Sequence, residues 1–266
     1  MPTTPLSSRS IGLVNWLGLW TLYVREVRRF AKVFTQTILA PVVTTLLFLS
    51  IFTLALGPSS QMVPGLAYAQ FLAPGLIMAA VMQNAFANTS SSLFISKIQG
   101  NIVDVLMPPL SAAELTLGYA AGGASRGLVV AVATGTALAA FVPVGVHDLG
   151  YALFHVTAGA VMLSLLGLAA GVWASKFDHI AAVTNFVVTP LAFLSGTFYS
   201  IERLPEAWRA VARANPVFYL IDGLRYGMTG HADGSLALGL VSDVAAVALL
   251  VALCHRMFAS GYRLKS

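Results

Sequence analysis

The longest charge-free stretch of the chain constrains its fold most strongly. Residues 33–96, between Lys32 and Lys97, are 64 positions without Asp, Glu, Lys or Arg. A membrane-spanning helix needs about 20 apolar residues, so this stretch fits two spans joined by a turn, and Gly and Pro at 57–58 and 64–65 supply turn residues. Its apolar runs are continuous rather than alternating, which favours helices over a β-barrel.

The composition extends this conclusion to the whole chain. Apolar and aromatic residues make up 58% of the sequence and charged residues only 9%, whereas soluble domains carry about 25% charged residues. A soluble enzyme, a disordered tail and a disulfide scaffold are therefore excluded. We predict an all-α polytopic membrane protein with three parts, an N-terminal tail (1–13), an amphipathic interfacial helix (14–34) and a six-span domain (35–266). The predicted spans are Thr35–Leu56, Tyr68–Asn88, Leu117–Phe141, Leu149–Trp173, Ile180–Tyr199 and Leu240–Ala259.

The basic residues predict the orientation of these spans, because cytoplasmic loops are enriched in Lys and Arg. Cytoplasmic termini put ten basic residues inside: Arg9, Arg25, Arg28, Arg29, Lys32, Lys97, Lys176, Arg256, Arg263 and Lys265. Four lie outside: Arg203, Arg209, Arg213 and Arg225. Both termini are therefore expected in the cytoplasm. The net charge of +5 then reflects topology, and no nucleic-acid partner is expected.

Two segments on the predicted cytoplasmic side have amphipathic character. In residues 14–34, the basic side chains lie opposite Trp16, Trp20 and other apolar residues at helical spacing, which is typical of a helix in the membrane interface. In the loop 96–115, Pro108-Pro109 is followed by a capping box from Ser111 to Glu114. Each segment is either a plain anchor or connector, or a contact surface for a soluble partner, and the residues alone leave both open.

The third span is rich in glycine and contains a charge. Gly118 and Gly122, and then Gly123 and Gly127, repeat the spacing that lets helix backbones approach closely. Arg126 lies 12 residues beyond Glu114, about 18 Å along a helix and near mid-membrane. A charge at that depth is costly. Arg126 therefore either pairs with another group of the protein, extends its side chain to the membrane interface, or takes part in transport.

Residues 200–239, before the last span, are too apolar for a solvated loop and too interrupted by proline for a span. We predict a re-entrant pair of short helices at the outer face, which either lines a pathway or packs over the bundle.

Several motifs are missing from the sequence. No lysine follows a glycine, so the chain has no P-loop and is not expected to hydrolyse ATP. The predicted spans one to five contain no Asp or Glu, which disfavours ion-coupled transport, and only Asp243 in the last span is acidic. The five histidines show no metal-ligand spacing.

Two stretches carry a resemblance to a known family. The loop Asn101-Ile-Val-Asp-Val-Leu-Met-Pro-Pro-Leu-Ser-Ala-Ala-Glu114 and the later Asn215-Pro-Val-Phe-Tyr-Leu-Ile-Asp-Gly-Leu-Arg225 occur in the order found in ABC-2 type membrane permeases. The chain resembles the small drug-, polysaccharide- and nodulation-factor-export permeases of the bacterial inner membrane.

The resemblance implies an exporter that works by alternating access as a homodimer in the lipid bilayer. Each copy would dock a separate ATP-binding subunit, which binds ATP and Mg²⁺, so this chain itself needs no cofactor. Helix 14–34 is similar to the connecting helix of these permeases, which lies against the ATP-binding subunit. The segment 97–114 is similar to their coupling helix, which transmits the motion of that subunit. Residues 200–239 are similar to the re-entrant hairpin that closes the outer end of the pathway. The residues implied in coupling to the ATPase are Arg25, Arg28, Arg29, Asn101, Asp104, Leu106 and Glu114. Those implied in the hairpin or pathway are Arg126, Asn215, Pro216 and Arg225.

Two other classes stay open on the residues alone. A membrane enzyme acting on lipids would use acidic and histidine residues at one face, and His147-Asp148 and Asp178-His179 are the available pairs. A channel or structural subunit is the other class. For the substrate we expect an amphiphilic, glycan-like, lipid-like or drug-like molecule.

Overall fold

The computed structural model describes residues 12–57 and 61–264, and these residues form a bundle of helices. Its helices and strands are α1 (Trp16–Ala31), α2 (Phe34–Leu56), β1 (Gln61–Val63), β2 (Leu66–Ala67), α3 (Tyr68–Ile98), α4 (Ile102–Leu106), α5 (Ala112–Ala139), α6 (Leu149–Trp173), α7 (Phe177–Val183), α8 (Thr189–Leu194), α9 (Glu206–Ala214), α10 (Pro216–Thr229) and α11 (Leu236–Ala259). A π-helical turn, Thr184–Val188, joins α7 to α8, and a 3-10 turn, Ile201–Arg203, precedes α9. Most of the predicted N-terminal tail and positions 58–60 of the predicted turn lie outside the described residues.

Among the described residues, six helices are long and apolar enough to cross a membrane, as the sequence predicted. They are α2, α3, α5, α6, the continuous segment 177–194 and α11. The fourth span has the predicted bounds, Leu149–Trp173. The all-α polytopic fold is therefore confirmed.

Four of the predicted span boundaries were wrong by a helical turn or more. Helix α3 continues ten residues past Asn88 because the hydroxyls of its Thr and Ser residues bond to helix carbonyls, so these residues do not interrupt the helix. Helix α5 starts directly after its capping box at Ser111. The fifth span ends at Leu194, because the chain turns at Gly196, whose φ is +74°. Helix α11 starts four residues early, which puts Asp243 two turns inside it.

Helix α3 lies at the centre of the bundle. It packs against α6, α5, α10 and α2, and the side chains of Phe71, Met78 and Met82 on it are fully buried. Its 31 residues correspond to about 46 Å, more than the ~30 Å hydrocarbon core. The helix therefore connects the two ends of the bundle.

Both termini of the described chain lie at one end of this bundle. The Lys97 ammonium, near the end of α3, donates to the carbonyl oxygens of Val172 (2.6 Å) and Ala174 (2.8 Å) at the end of α6. Arg263 donates to the neighbouring carbonyl of Trp173 (2.8 Å). These contacts satisfy carbonyls that a helix C-terminus leaves unpaired. Arg263 and Leu264 line a cavity together with α4, and Asn15, just before α1, bonds to Pro109 in the loop after α4. We call this end the basal end.

The opposite end, which we call the distal end, is formed by three connections in contact. The β1–β2 hairpin, which the sequence did not predict, turns at the predicted Pro64-Gly65. Arg203 donates to its Met62 carbonyl (2.9 Å), and the backbone N–H of His147 donates to the Gly227 carbonyl (2.8 Å) at the end of α10. The predicted short helices of 200–239 are present as α9 and α10.

The glycines of α5 allow close approach on two sides. A Cβ on Gly118 would meet the side chain of Leu22, and one on Gly122 would overlap Cβ of Glu26, both on α1. Gly123 and Gly127 instead face α6 and α3. The predicted close packing is confirmed, and one of its partners is the amphipathic helix itself.

Replacing Gly122 by Ala should therefore push α1 away from α5. We expect a loss of about 1–3 kcal/mol in the free energy of unfolding, as is usual for overpacking. The measurement is the thermal unfolding midpoint of the detergent-purified protein. Gly135→Ala is the matched control, because a Cβ there has only Ile77 at 3.8 Å nearby, and an equal loss in both variants would contradict the packing argument.

Candidate docking surface and membrane cavity

Helix α1 has three faces rather than the two that its sequence predicts. Trp16 and Trp20 are 71% and 62% exposed, and Arg28 is exposed on another side. Between these faces runs a buried stripe that contains Leu22, Glu26 and Phe30 and lies on α5 and α3. The two-face prediction missed this stripe because its central member is an acid.

The buried Glu26 carboxylate is the centre of the contact between α1 and the bundle. It is 0% exposed. Its Oε1 accepts from Ser92 Oγ on α3 (2.8 Å) and from Arg25 Nη2 (3.1 Å), and its Oε2 lies 3.5 Å from Arg29 Nε. A buried charge needs such pairing to be tolerated. Glu26 thus ties α1 to α3 by a charge-assisted hydrogen bond.

The predicted coupling arginines of α1 have different surroundings. Arg25 donates to the Tyr119 hydroxyl on α5 (2.9 Å). Partial burial lowers its pKa, but nearby Tyr119 and Glu26 outweigh that effect and raise it overall. Arg29 donates to the backbone carbonyl and to Oδ1 (2.9 Å) of Asn88 on α3. Arg28 alone of the three has no side-chain partner among the described contacts, and it projects from the surface.

Glu114 joins the start of α1 to the start of α5. Its Oε2 accepts from the backbone N–H of Ser111 (2.6 Å), and the Ser111 hydroxyl accepts from the Glu114 N–H (3.2 Å), which is the predicted capping box. Its Oε1 also accepts from the backbone N–H of Asn15, the residue before α1. Asn15 in turn donates to the carbonyl of Pro109 (3.2 Å). The loop after α4 and both helix starts are therefore held together.

Helix α4 presents an apolar surface at the basal end. Its Ile102 and Val105 are buried against the bundle, whereas Val103 and Met107 are 53% and 76% exposed. The remaining predicted coupling residues, Asn101, Asp104 and Leu106, are exposed on the same segment. We call the exposed residues of α1 and of the segment 101–107 the docking surface.

Helix α10 is fixed at the distal end by a buried arginine. Arg225 on α10 is 0% exposed. It donates to the carbonyls of Phe71 on α3 (3.3 Å) and Gly196 (2.6 Å), and its Nη1 lies 3.5 Å from Asp222 Oδ1. Asp222 in turn accepts from the backbone N–H of Asp233 (2.9 Å). These contacts pack α10 against α3 and the turn at Gly196, and Arg225 is not among the residues that line the cavity beside Arg126.

Asn215 and Pro216 begin α10. The Asn215 side chain accepts from the N–H of Val217 (3.0 Å) and donates to the Ser195 hydroxyl (2.7 Å) after α8. Proline suits the first helical position, where no N–H is needed. These two residues set where α10 starts relative to the fifth span.

Arg126 lies at the edge of a cavity of about 430 Å³ between α2, α3 and α8. Its Nη2 donates to Asn84 Oδ1 on α3 (3.1 Å). Other polar residues in the lining are Gln36, Thr37, Thr44, Thr45 and Gln83. On α2, the pair Thr44-Thr45 follows the pair Gln36-Thr37 after about two helical turns. This spacing puts both pairs on one face, and it is the sequence signal from which the polar lining could have been predicted.

Two further titratable pairs make structural contacts. Asp148 caps α6 by accepting from the N–H of Tyr151 (3.0 Å), and the ring of His147 packs on Tyr226. His155 Nε2 lies 3.7 Å from Asp243 Oδ2 in the core, a contact that the sequence did not predict. Within residues 12–57 and 61–264, no group of three or more His, Cys, Asp or Glu side chains is placed to hold a metal ion.

Comparisons with known proteins match nearly the whole of this architecture. A family model described as ABC-2 type transporter matches residues 18–229. The Inner membrane transport permease YadH of Escherichia coli (strain K12) is 37% identical over 251 residues, which are 94% of this chain and 98% of that protein. Nodulation protein J of Rhizobium leguminosarum bv. trifolii is 26% identical over 222 residues, 83% of each chain. The one from Rhizobium meliloti (strain 1021) is 24% identical over 217 residues, 81% and 82% of the two chains.

Removing the Glu26 carboxylate should loosen α1 from the bundle. Glu26→Ala leaves Ser92 and two arginines without their partner, and we expect a loss of about 2–4 kcal/mol, since breaking a buried pair costs ~3–5 kcal/mol and the arginines are partly solvated. The measurement is the thermal unfolding midpoint in detergent. Glu202→Ala removes an exposed acid and should leave the midpoint unchanged; comparable losses would show that Glu26 has no special role.

Proposed function

The chain belongs to the ABC-2 type transporter family and is a transmembrane subunit of an ABC transporter, and from this premise we propose that it exports an amphiphilic, glycan-like, lipid-like or drug-like substrate. Membership of the family implies an ABC ATPase partner. In our proposal ATP and Mg²⁺ bind that partner, and this chain supplies only the membrane pathway.

The observation that carries the proposal is the docking surface. Val103 and Met107 are apolar and solvent-facing at the basal end, where uncovered apolar surface is a feature of protein interfaces. The segment is held rigidly, because α3 ends just before it and the Glu114 contacts follow it. We assign this surface to the ATPase, as the family resemblance implies.

The contacts of α1 and α5 supply a route for the coupling. When the ATPase subunits close on ATP, a push on α4 and α1 would act on α5 through Glu114 at its start and Glu26 beside Gly122. Packed helices move as rigid bodies rather than deforming continuously. The energy comes from the ATPase, so this chain needs only two states that differ in their affinity for substrate.

A homodimer would complete the pathway. The cavity beside Arg126 lies at the side of the bundle formed by α2 and α8, whose outward apolar side chains include the exposed Leu39, Leu47, Phe193 and Leu194. A second copy against this side would enclose the cavity near the dimer axis. We propose this arrangement, with two ATPase subunits, in the bacterial inner membrane.

Charge distribution supports cytoplasmic termini. The basal end contains Arg25, Arg28, Arg29, Lys32 and Lys97, and basic residues favour the cytoplasmic side. The ATPase partner must also lie on the cytoplasmic side, because its ATP is in the cytoplasm. The docking surface and the basal end therefore face the cytoplasm in our proposal.

The docking surface predicts the loss of a specific partner. The affinity-tagged chain, purified from its native host, should bring down a P-loop ATPase identified by mass spectrometry. Val103→Asp with Met107→Asp should abolish that recovery, because two charges replace the apolar contact. Trp208→Asp changes a comparably exposed residue on α9 (58%) at the distal end and should retain the ATPase. Substantial ATP hydrolysis by the purified chain alone would contradict the proposal.

The orientation can be tested by cysteine labelling, since the chain's single cysteine, Cys254, is buried and can be replaced by serine. In that background, Glu202→Cys at the distal end should react with a membrane-impermeant maleimide in intact cells. Asp104→Cys on α4 should react only after the cells are permeabilised. The reverse pattern would put the termini outside.

A further inference from the structure

We propose that the cavity beside Arg126 binds the anionic headgroup of an amphiphile, a phosphate or carboxylate attached to an apolar chain. The inference rests on the proposed function, since it takes this cavity to be part of the transport route. It names the substrate class that the family resemblance leaves open.

The charge of Arg126 has no counter-ion within the part of the chain that the structure describes. All ten Asp and Glu residues of the chain lie within the described residues, and none of them is within 4 Å of Arg126. Its single hydrogen bond goes to the neutral amide of Asn84, and its Nε is buried with no partner among the described residues. Arg225, by contrast, lies beside Asp222. Arg126 is therefore a charged group of the bundle that lacks a counter-ion among the described residues.

The position of Arg126 makes that missing partner significant. It is the fifteenth residue of the 28-residue α5, about 21 Å from either end and thus near mid-membrane. A charge at this depth is costly unless it is paired or solvated in a cavity. A neutral ligand would leave the cost in place, a cationic one would add repulsion, and an anionic one would offset it.

A second arginine, Arg29, contacts the same face of α3. Asn84 and Asn88, one helical turn apart on α3, contact Arg126 and Arg29 respectively. The side-chain nitrogen of Asn88 is buried and has no acceptor among the described residues. These four residues form a polar cluster on one face of α3, between the basal end and the cavity.

The other half of the cavity is apolar and aromatic. Gln36, Gln83 and Asn84 lie toward the basal end, whereas Phe48, Phe193 and Phe198 line the part toward the distal end. The ring centroids of Phe48 and Phe193 are 5.9 and 5.3 Å from that of Phe198. A lining that is cationic and amide-rich at one end and aromatic at the other matches an amphiphile rather than a uniformly polar ion.

The test is a direct binding measurement on the whole chain without its ATPase. The protein is purified in the neutral detergent dodecyl maltoside and titrated with dodecyl phosphate, and bound ligand is counted by native mass spectrometry. We expect Arg126→Gln to weaken binding by about tenfold or more, the loss typical of a charge-assisted hydrogen bond. Arg126→Lys should stay within about threefold of the wild type, and Arg213→Gln, an exposed arginine of α9, should bind as the wild type does.

Two further ligands define the chemistry of the site. Dodecyltrimethylammonium has a cationic head on the same chain and should not bind to the wild type, while inorganic phosphate without a chain should compete only weakly. Phosphate that competes as well as dodecyl phosphate would indicate a free-anion site and overturn the amphiphile assignment. Equal binding of the anionic and cationic amphiphiles would overturn the role of charge.

A second variant, which keeps the charge of Arg126, serves as the test if Arg126→Gln does not fold. If Arg126→Gln does not give a monodisperse protein, Thr44→Phe should fill the cavity and weaken dodecyl phosphate binding to a similar extent. Unchanged affinity in a folded variant of either kind would overturn the proposal. Because no ATPase is present, failure here leaves the proposed export function intact, and failure to recover a P-loop ATPase leaves this site intact.

Discussion

Charge in a membrane must be paired, capped or solvated, and the bundle is organised around how it meets that requirement. Glu26 is paired with two arginines and a serine, and Arg225 with an aspartate and two carbonyls. Each of these buried groups holds a peripheral helix, α1 or α10, against the core. The few charges of the chain thus determine how the outlying segments attach to the spans.

Helix α3 receives both attachments. Its Phe71 carbonyl accepts from Arg225 near the distal end, and its Asn88 accepts from Arg29 near the basal end. Between them, Asn84 accepts from Arg126 at the cavity. A single buried helix therefore contacts α10, Arg126 at the cavity and α1.

Helix α5 connects α1 and the loop after α4 to the cavity. It starts at the Glu114 contacts with α1, accommodates Glu26 against Gly122 two turns later, and bears Arg126 in its middle. Because these sites share one continuous helix, a displacement of α1 or α4 in the proposed coupling would also move Arg126. The coupling proposed here needs no chain of small adjustments, only the movement of a rigid element.

Sequence alone determined the class of fold, the six spans, the capping box and the two short outer helices, because these depend on hydropathy and local propensity over neighbouring residues. It identified Arg126 as unusual but not that its charge lacks a counter-ion, since that requires the positions of all ten acidic residues in space. It missed Glu26, which resembles any polar residue on a basic helix until Gly122, Ser92 and Arg29 are seen around it. Tertiary structure decided these points, because whether a polar side chain in a membrane protein is a structural tie or a binding group depends on the partners that distant segments bring to it.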